Sequence, residues 1–146
     1  MYYARLLHGD AAHKYLEGLV AKAAGDNLLT FSSGGIAGAK QNIFAIDGNT
    51  AGAAGIGEML LQSQGGEIQL LPALPTAWPN GSIQGLCARG GFQVDITWRK
   101  GALFSTVITS KHGGSIPVRY AGKVLNLNLR PGEAAHLRLA SFEQNM

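Results

Sequence analysis

The periodicity of the chain changes once, near Gly65-Gly66, and that change limits what the chain can fold into. Downstream, Phe92, Val94, Ile96 and Trp98 alternate with Gln93, Asp95 and Thr97, the period of two expected for a half-buried strand. Arg99-Lys100-Gly101 reads as a short hairpin connection into a second strand over Leu103 to Thr109. Further strands are expected at Ile68 to Leu71, Ser82 to Ala88, Ser115 to Tyr120, Lys123 to Leu127 and Ala134 to Leu139, punctuated by Gly, Pro and Asn. Short strands with even turn spacing fit an antiparallel sandwich. Between the early strands, Pro72, Pro75 and Pro79 make a rigid extended or turn segment.

Upstream of the change the spacing is helical. Tyr3, Leu6 and Leu7 form one short apolar face, after which Gly9-Asp10 is expected to end that helix and cap a second one from Ala11 to about Ala24. Tyr15, Leu16, Leu19, Val20 and Ala23 recur along it at helical spacing. Asp26 to Phe44 has no clear period and reads as a long loop. A third helix should start at a cap on Asn49 or Thr50 and run through Ile56, Glu58, Met59, Leu60 and Leu61 to Ser63. Gly52, Gly55 and Gly57 each cost that helix about 1 kcal/mol relative to Ala, which implies that another backbone comes close and that the helix is buried.

Composition narrows the function classes. With 46% hydrophobic and 14% charged residues in 146, the chain is globular and long enough for one sizeable core, or for a helical segment plus a small second domain. Its charge of +3 is spread without Lys/Arg clusters, which argues against nucleic acid as a partner. No window reaches the length of a membrane span, so no membrane partner is expected, and Met1-Tyr2-Tyr3-Ala4-Arg5 lacks the pattern of an export signal. The single cysteine, Cys87, excludes an internal disulfide and, in its apolar run, is expected to be buried and inert. His8, His13, His112 and His136 are scattered, read as surface residues, and offer no metal-ligand spacing.

Asp47-Gly48-Asn49 stands where the long loop meets the third helix, a place where a carboxylate sits beside a positive helix N-terminus. The tripeptide alone leaves two readings open, a functional acid or a turn with a cap. Asp47, Asn49, Gly52 and Glu58 also occupy the first, third, sixth and twelfth positions of a calcium loop, but Ala51 stands where a side-chain oxygen is needed, and no metal is assigned. Trp78 and Trp98 are sugar-stacking candidates whose alternative is core packing.

Taken in order, Phe44-Ala45-Ile46-Asp47-Gly48-Asn49, then Ala54-Gly55-Ile56-Gly57-Glu58-Met59-Leu60-Leu61-Gln62-Ser63, then Gly66 to Pro75, Trp78-Pro79 and Ala88-Arg89-Gly90-Gly91-Phe92 resemble the end of the catalytic barrel and the following segments of family 95 α-L-fucosidases. The resemblance implies an α+β chain: the C-terminal helices of an incomplete (α/α)6 barrel over residues 1–65, then an antiparallel β-sandwich over 66–146. It implies an inverting enzyme that releases L-fucose from α-1,2-linked glycans with no metal or organic cofactor, in a family whose members are often exported. Asp47 matches the aspartate that supports activation of the attacking water, and Asn49 beside it is assigned to substrate binding. The general-acid glutamate of that family has no counterpart in these residues, so the chain by itself is expected to be inactive. Three helices cannot close the barrel, so exposed apolar faces and self-association are expected. The alternative is a non-catalytic carbohydrate-binding sandwich using Trp78 or Trp98. In either case the expected ligand is a fucosylated oligosaccharide.

Overall fold

A computed structural model of the chain describes residues 1–32 and 42–143. Its first part contains helices α1 (Tyr2–Arg5), α2 (Gly9–Ala23) and α3 (Ile46–Leu60), with a two-stranded antiparallel ribbon, β1 (Phe31–Ser32) and β2 (Ile43–Phe44), between α2 and α3. The expected loop over Asp26 to Phe44 is therefore partly paired at its two ends, and its middle, residues 33–41, lies outside the described residues.

Two of the expected helix boundaries move for physical reasons. Helix α1 stops because Leu7 turns into the left-handed region at φ 63°, and Gly9-Asp10 forms the first turn of α2 with His8 as its N-cap. Gly9 is needed for close approach, since a Cβ there would stand 2.6 Å from the carbonyl oxygen of Ala73 and 2.8 Å from that of Leu74. Asp10 does not cap its own helix. Its carboxylate accepts from the Thr76 backbone N–H at 2.7 Å and the Thr76 hydroxyl at 2.8 Å, which holds α2 on the proline-rich segment and lowers the Asp10 pKa. Helix α3 begins at Ile46, ahead of the expected cap, and ends at Leu60, where the chain passes directly into a strand. It is buried only at Gly55, Met59 and Leu60, less than its glycine content suggests. A Cβ on Gly52 would meet the Leu19 side chain at 3.2 Å, whereas one on Gly57 would meet nothing within 4 Å.

The remaining strands are β3 (Leu61–Gln62), β4 (Ile68–Leu70), β5 (Gly81–Ala88), β6 (Phe92–Arg99), β7 (Ala102–Ser110), β8 (Gly114–Tyr120), β9 (Lys123–Leu129) and β10 (Ala134–Arg138), followed by a 3-10 turn at Leu139–Phe142. They form two four-stranded sheets, ordered β10-β7-β6-β5 and β3-β4-β8-β9. All pairings are antiparallel except β4 with β8, where Ile68 pairs with Val118 in parallel. That pair departs from the expected purely antiparallel sandwich because the chain leaves β4, builds β5 to β7 in the other sheet, and returns beside β4 in the same direction. Between the sheets lie Ile68, Leu70, Val94, Ile96, Trp98, Leu103, Ile108 and Val118, none more than 5% exposed. Each contributes about 1.5–3 kcal/mol by leaving water.

The β6–β7 connection matches the sequence reading. Lys100 and Gly101 both take positive φ, 51° and 73°, as a two-residue turn between paired Arg99 and Ala102 requires. Strand β5 corrects the reading of Cys87. A register shift between Ile83 and Leu86, around Gly85 at φ 75°, moves the inward positions to Leu86 and Ala88 and turns the cysteine out to solvent.

The helical part has a far smaller core, Ala4, Ala12, Met59 and Ala73, with Trp78 packed against it. Buried Gln62 ties it together by donating to the carbonyls of Ala4 and Glu58, both at 2.9 Å. Among the described residues, every exposed large apolar side chain except Phe104, Val124 and Leu139 lies between Met1 and Ile46. Of these, Tyr2, Tyr3, Tyr15, Val20 and Ile46 lie on the helices.

Candidate functional site

The corner that carries Asp47 is built by Thr30. This residue precedes β1 and is 4% exposed, and its backbone N–H donates to the Asn49 side-chain Oδ1 at 3.1 Å. In return, Asn49 Nδ2 donates to the Ala45 carbonyl at 2.8 Å, to Thr30 Oγ1 at 3.0 Å and to the Thr30 carbonyl at 3.3 Å. The Thr30 hydroxyl donates to the Ala45 carbonyl at 3.0 Å, and the Ala45 N–H donates back to the Thr30 carbonyl at 2.9 Å. These bonds clamp the entry of α3 to the base of the ribbon. Gly48 makes the approach possible, because a Cβ there would stand 2.5 Å from Thr30 Oγ1.

Asp47 lies in the first turn of α3, outside this clamp and exposed to solvent. Its Oδ1 accepts from the backbone N–H of Gly48 at 2.9 Å, which leaves lone pairs free for a water or a substrate hydroxyl. Asn49 and Thr50 do not cap the helix as expected. Asn49 is inside it, with its amide committed to Thr30 and Ala45, and the Thr50 hydroxyl donates back to the Ile46 carbonyl at 2.8 Å.

Glu58, the other carboxylate of α3, lies eleven residues further on, about 16 Å at the helical rise of 1.5 Å per residue. Its Oε1 pairs with Arg5 at 3.0 Å, across fifty-three positions of sequence. The calcium-like spacing from Asp47 to Glu58 falls wholly within one helix, so it forms no loop. Among the described residues no three His, Cys, Asp or Glu side chains converge in a metal-binding group. His13 is half-buried, edge-on to Trp78 with ring centroids 5.4 Å apart, while His8, His112 and His136 are exposed.

The two tryptophans are used internally. Trp98 is 5% exposed and donates its Nε1–H to the Trp78 carbonyl at 2.8 Å, and Gly81 allows the indole to lie against the strand backbone. Trp78 joins the sandwich to the helical core. Trp98 is therefore closed to sugar stacking, while Trp78 is half-buried. Thr30 and the Asp10–Thr76 clamp had no signal in the sequence, since each acts through partners distant along the chain.

The model of the glycoside hydrolase family 95 C-terminal domain matches residues 62–141, the stretch from the end of β3 into the 3-10 turn. The chain is 43% identical over 91 residues to "Alpha-L-fucosidase 2" of Arabidopsis thaliana, covering 62% of this chain and 11% of that protein. It is 34% identical over 106 residues to "Probable alpha-fucosidase A" of Aspergillus oryzae, covering 66% of this chain and 14% of that protein. No helix among the described residues is long and apolar enough to cross a membrane. The two packed sheets with the ordered motifs that precede them, and a family match over more than half of the chain, lead to one statement: the chain belongs to glycoside hydrolase family 95, whose C-terminal domain it carries.

Proposed function

We propose that the chain supplies the closing helices of an (α/α)6 barrel, residues 1–65, and the C-terminal sandwich, residues 66–146, of an inverting α-L-fucosidase acting on α-1,2-linked fucose. The observation that carries this reading is Asp47, an exposed carboxylate on a helix start that seven hydrogen bonds among Thr30, Ala45 and Asn49 hold in place. In an inverting hydrolase one carboxyl group donates a proton to the leaving oxygen and, at about 6.5–9.5 Å, another group activates water on the opposite face of the sugar. Asp47 takes the second role, supporting the water. Glu58 is too far along the same helix to be its acid partner, which supports a chain that does not turn over substrate alone. Asn49, assigned to substrate binding from the sequence, contributes to it by fixing the corner that presents Asp47. The uncovered apolar side chains between Met1 and Ile46 support the barrel reading, since neighbouring helices would bury them.

The test is release of L-fucose from 2′-fucosyllactose by the pure chain and by the chain mixed with the preceding segment of a family 95 fucosidase. The expected result is no turnover alone, turnover in the mixture, and its loss with Asp47→Asn. Turnover by the chain alone that survives Asp47→Asn would overturn the proposal.

A further inference from the structure

Asn80-Gly81-Ser82 leads into β5, the terminal strand of its sheet. Of the seven asparagines in the chain, Asn80 alone has Ser or Thr two positions on, the Asn-x-Ser/Thr pattern that accepts an N-linked glycan when x is not Pro. The pattern has chemical meaning only where the asparagine amide nitrogen is free and the residue faces solvent.

The fold uses one end of the Asn80 amide and leaves the other. Its Oδ1 accepts from the Lys100 backbone N–H at 3.0 Å, and the Pro79 carbonyl accepts from the Gly101 N–H at 2.8 Å, so the two residues hold the β6–β7 turn. Asn80 is exposed, and its Nδ2 makes no hydrogen bond among the described residues. Oxygen and nitrogen leave one planar carbon in divergent directions, so with Oδ1 on the turn Nδ2 points away from it. Gly81 also has a packing role, because a Cβ there would overlap the Trp98 indole. Ser82 has none. It pairs across the ladder with Thr97, is exposed, and its hydroxyl makes no hydrogen bond among the described residues. The fold therefore accounts for the asparagine and the glycine but not for the serine, the residue that completes the pattern.

We infer that Asn80 is an acceptor for an N-linked oligosaccharide. In the transfer, Nδ2 bonds to C1 of the first sugar of a polyprenyl-pyrophosphate-linked oligosaccharide. The C1–O bond to the pyrophosphate breaks, polyprenyl pyrophosphate leaves with that electron pair, and Nδ2 gives up one proton. The product is still an amide with its carbonyl oxygen, so the hydrogen bond from Lys100 survives. The glycan stands at the edge of the β10-β7-β6-β5 sheet, where bulk blocks pairing with a strand of another chain. The site does not depend on the role given to Asp47.

The experiment directs the full chain into the yeast secretory pathway behind a cleavable signal. The pool analysed is the chain with its signal removed, inside the cells or in the medium. It should carry a single glycan, and peptide N-glycosidase in heavy-oxygen water should release it and leave a labelled aspartate in place of Asn80. Asn80→Gln and Ser82→Ala should each abolish the glycan, and Ser82→Thr should retain it. Ser82→Ala removes an exposed hydroxyl without a partner among the described residues, so it separates loss of the acceptor from misfolding. The Lys100 amide should exchange with solvent as slowly in the glycosylated chain as in the unmodified one. The proposal is overturned if the parent chain carries no glycan, if the glycan survives Ser82→Ala, or if glycosylation speeds Lys100 exchange at least tenfold.

Discussion

Asn49→Asp sets two effects of opposite sign against each other at the same atom positions. The substitution places a negative charge in the first turns of α3, which favours the helix by about 0.3–1 kcal/mol, and it retains an acceptor for the Thr30 N–H. It also deletes the two N–H donors of Nδ2, which are shared among the Ala45 carbonyl, Thr30 Oγ1 and the Thr30 carbonyl, and turns an anionic oxygen toward two carbonyl oxygens. Each lost hydrogen bond is worth about 0.5–1.5 kcal/mol, the longest of the three least. The donors win, with a net loss of about 2 kcal/mol at the corner, or roughly thirtyfold in a local opening equilibrium. Native-state hydrogen exchange at the Thr30 and Ala45 amides reads that equilibrium directly. Exchange as slow as in the parent chain, or slower, would mean that Asn49 serves as a simple acceptor at a helix start and that the clamp is not what holds Asp47.

Three other changes test the packing around the site. Gly9→Ala should lower unfolding stability by about 2 kcal/mol in urea titration, because the added methyl meets the Ala73 and Leu74 carbonyls, which cannot retreat as a side chain would; unchanged or higher stability would show that α2 does not dock there. The Asp10 pKa is lowered by the Thr76 N–H first and the Thr76 hydroxyl second, so the clamp contributes fully above the ordinary carboxylate value of about 4 and is lost as pH falls through the lower folded value. Thermal melts should accordingly show Asp10→Asn less stable than the parent near pH 5 and converging with it toward pH 2, and a gap that persists or widens at pH 2 would contradict the clamp. Cys87 should react with a thiol reagent in the folded chain without denaturant; protection until unfolding would mean that the register shift in β5 is misplaced.

The sandwich was legible because strand burial is written at short range. Phe92, Val94, Ile96 and Trp98 are buried as their alternation implies, and Lys100-Gly101 turns as a dipeptide tolerant of positive φ should. The expectation that failed was a buried Cys87, which rested on its apolar run; one shift around Gly85 exchanged the two faces of the strand and put it outside. The parallel β4–β8 pair was also beyond local reading, since Ile68 and its partner Val118 are fifty positions apart and no local pattern records which strands become neighbours. In the helical part, the apolar spacing announced the helices, but their ends depended on Leu7 adopting a left-handed conformation and on Gly9 meeting the Ala73 carbonyl.

The sequence alone determined the order of the three helices and of the strands from β4 to β10, the change of regime near Gly65-Gly66 and the presence of an aspartate at the start of α3, because periodicity, turn chemistry and motif order are local properties of the chain. Tertiary structure decided what those residues face. Asn49 became a clamp because Thr30 lies within reach of its amide, Glu58 met Arg5 from the far end of the helical segment, and Trp98 turned inward beneath Gly81. Each of these outcomes depends on hydrogen bonds or close contacts between positions at least seventeen residues apart, which chain closure brings together and local preference does not encode.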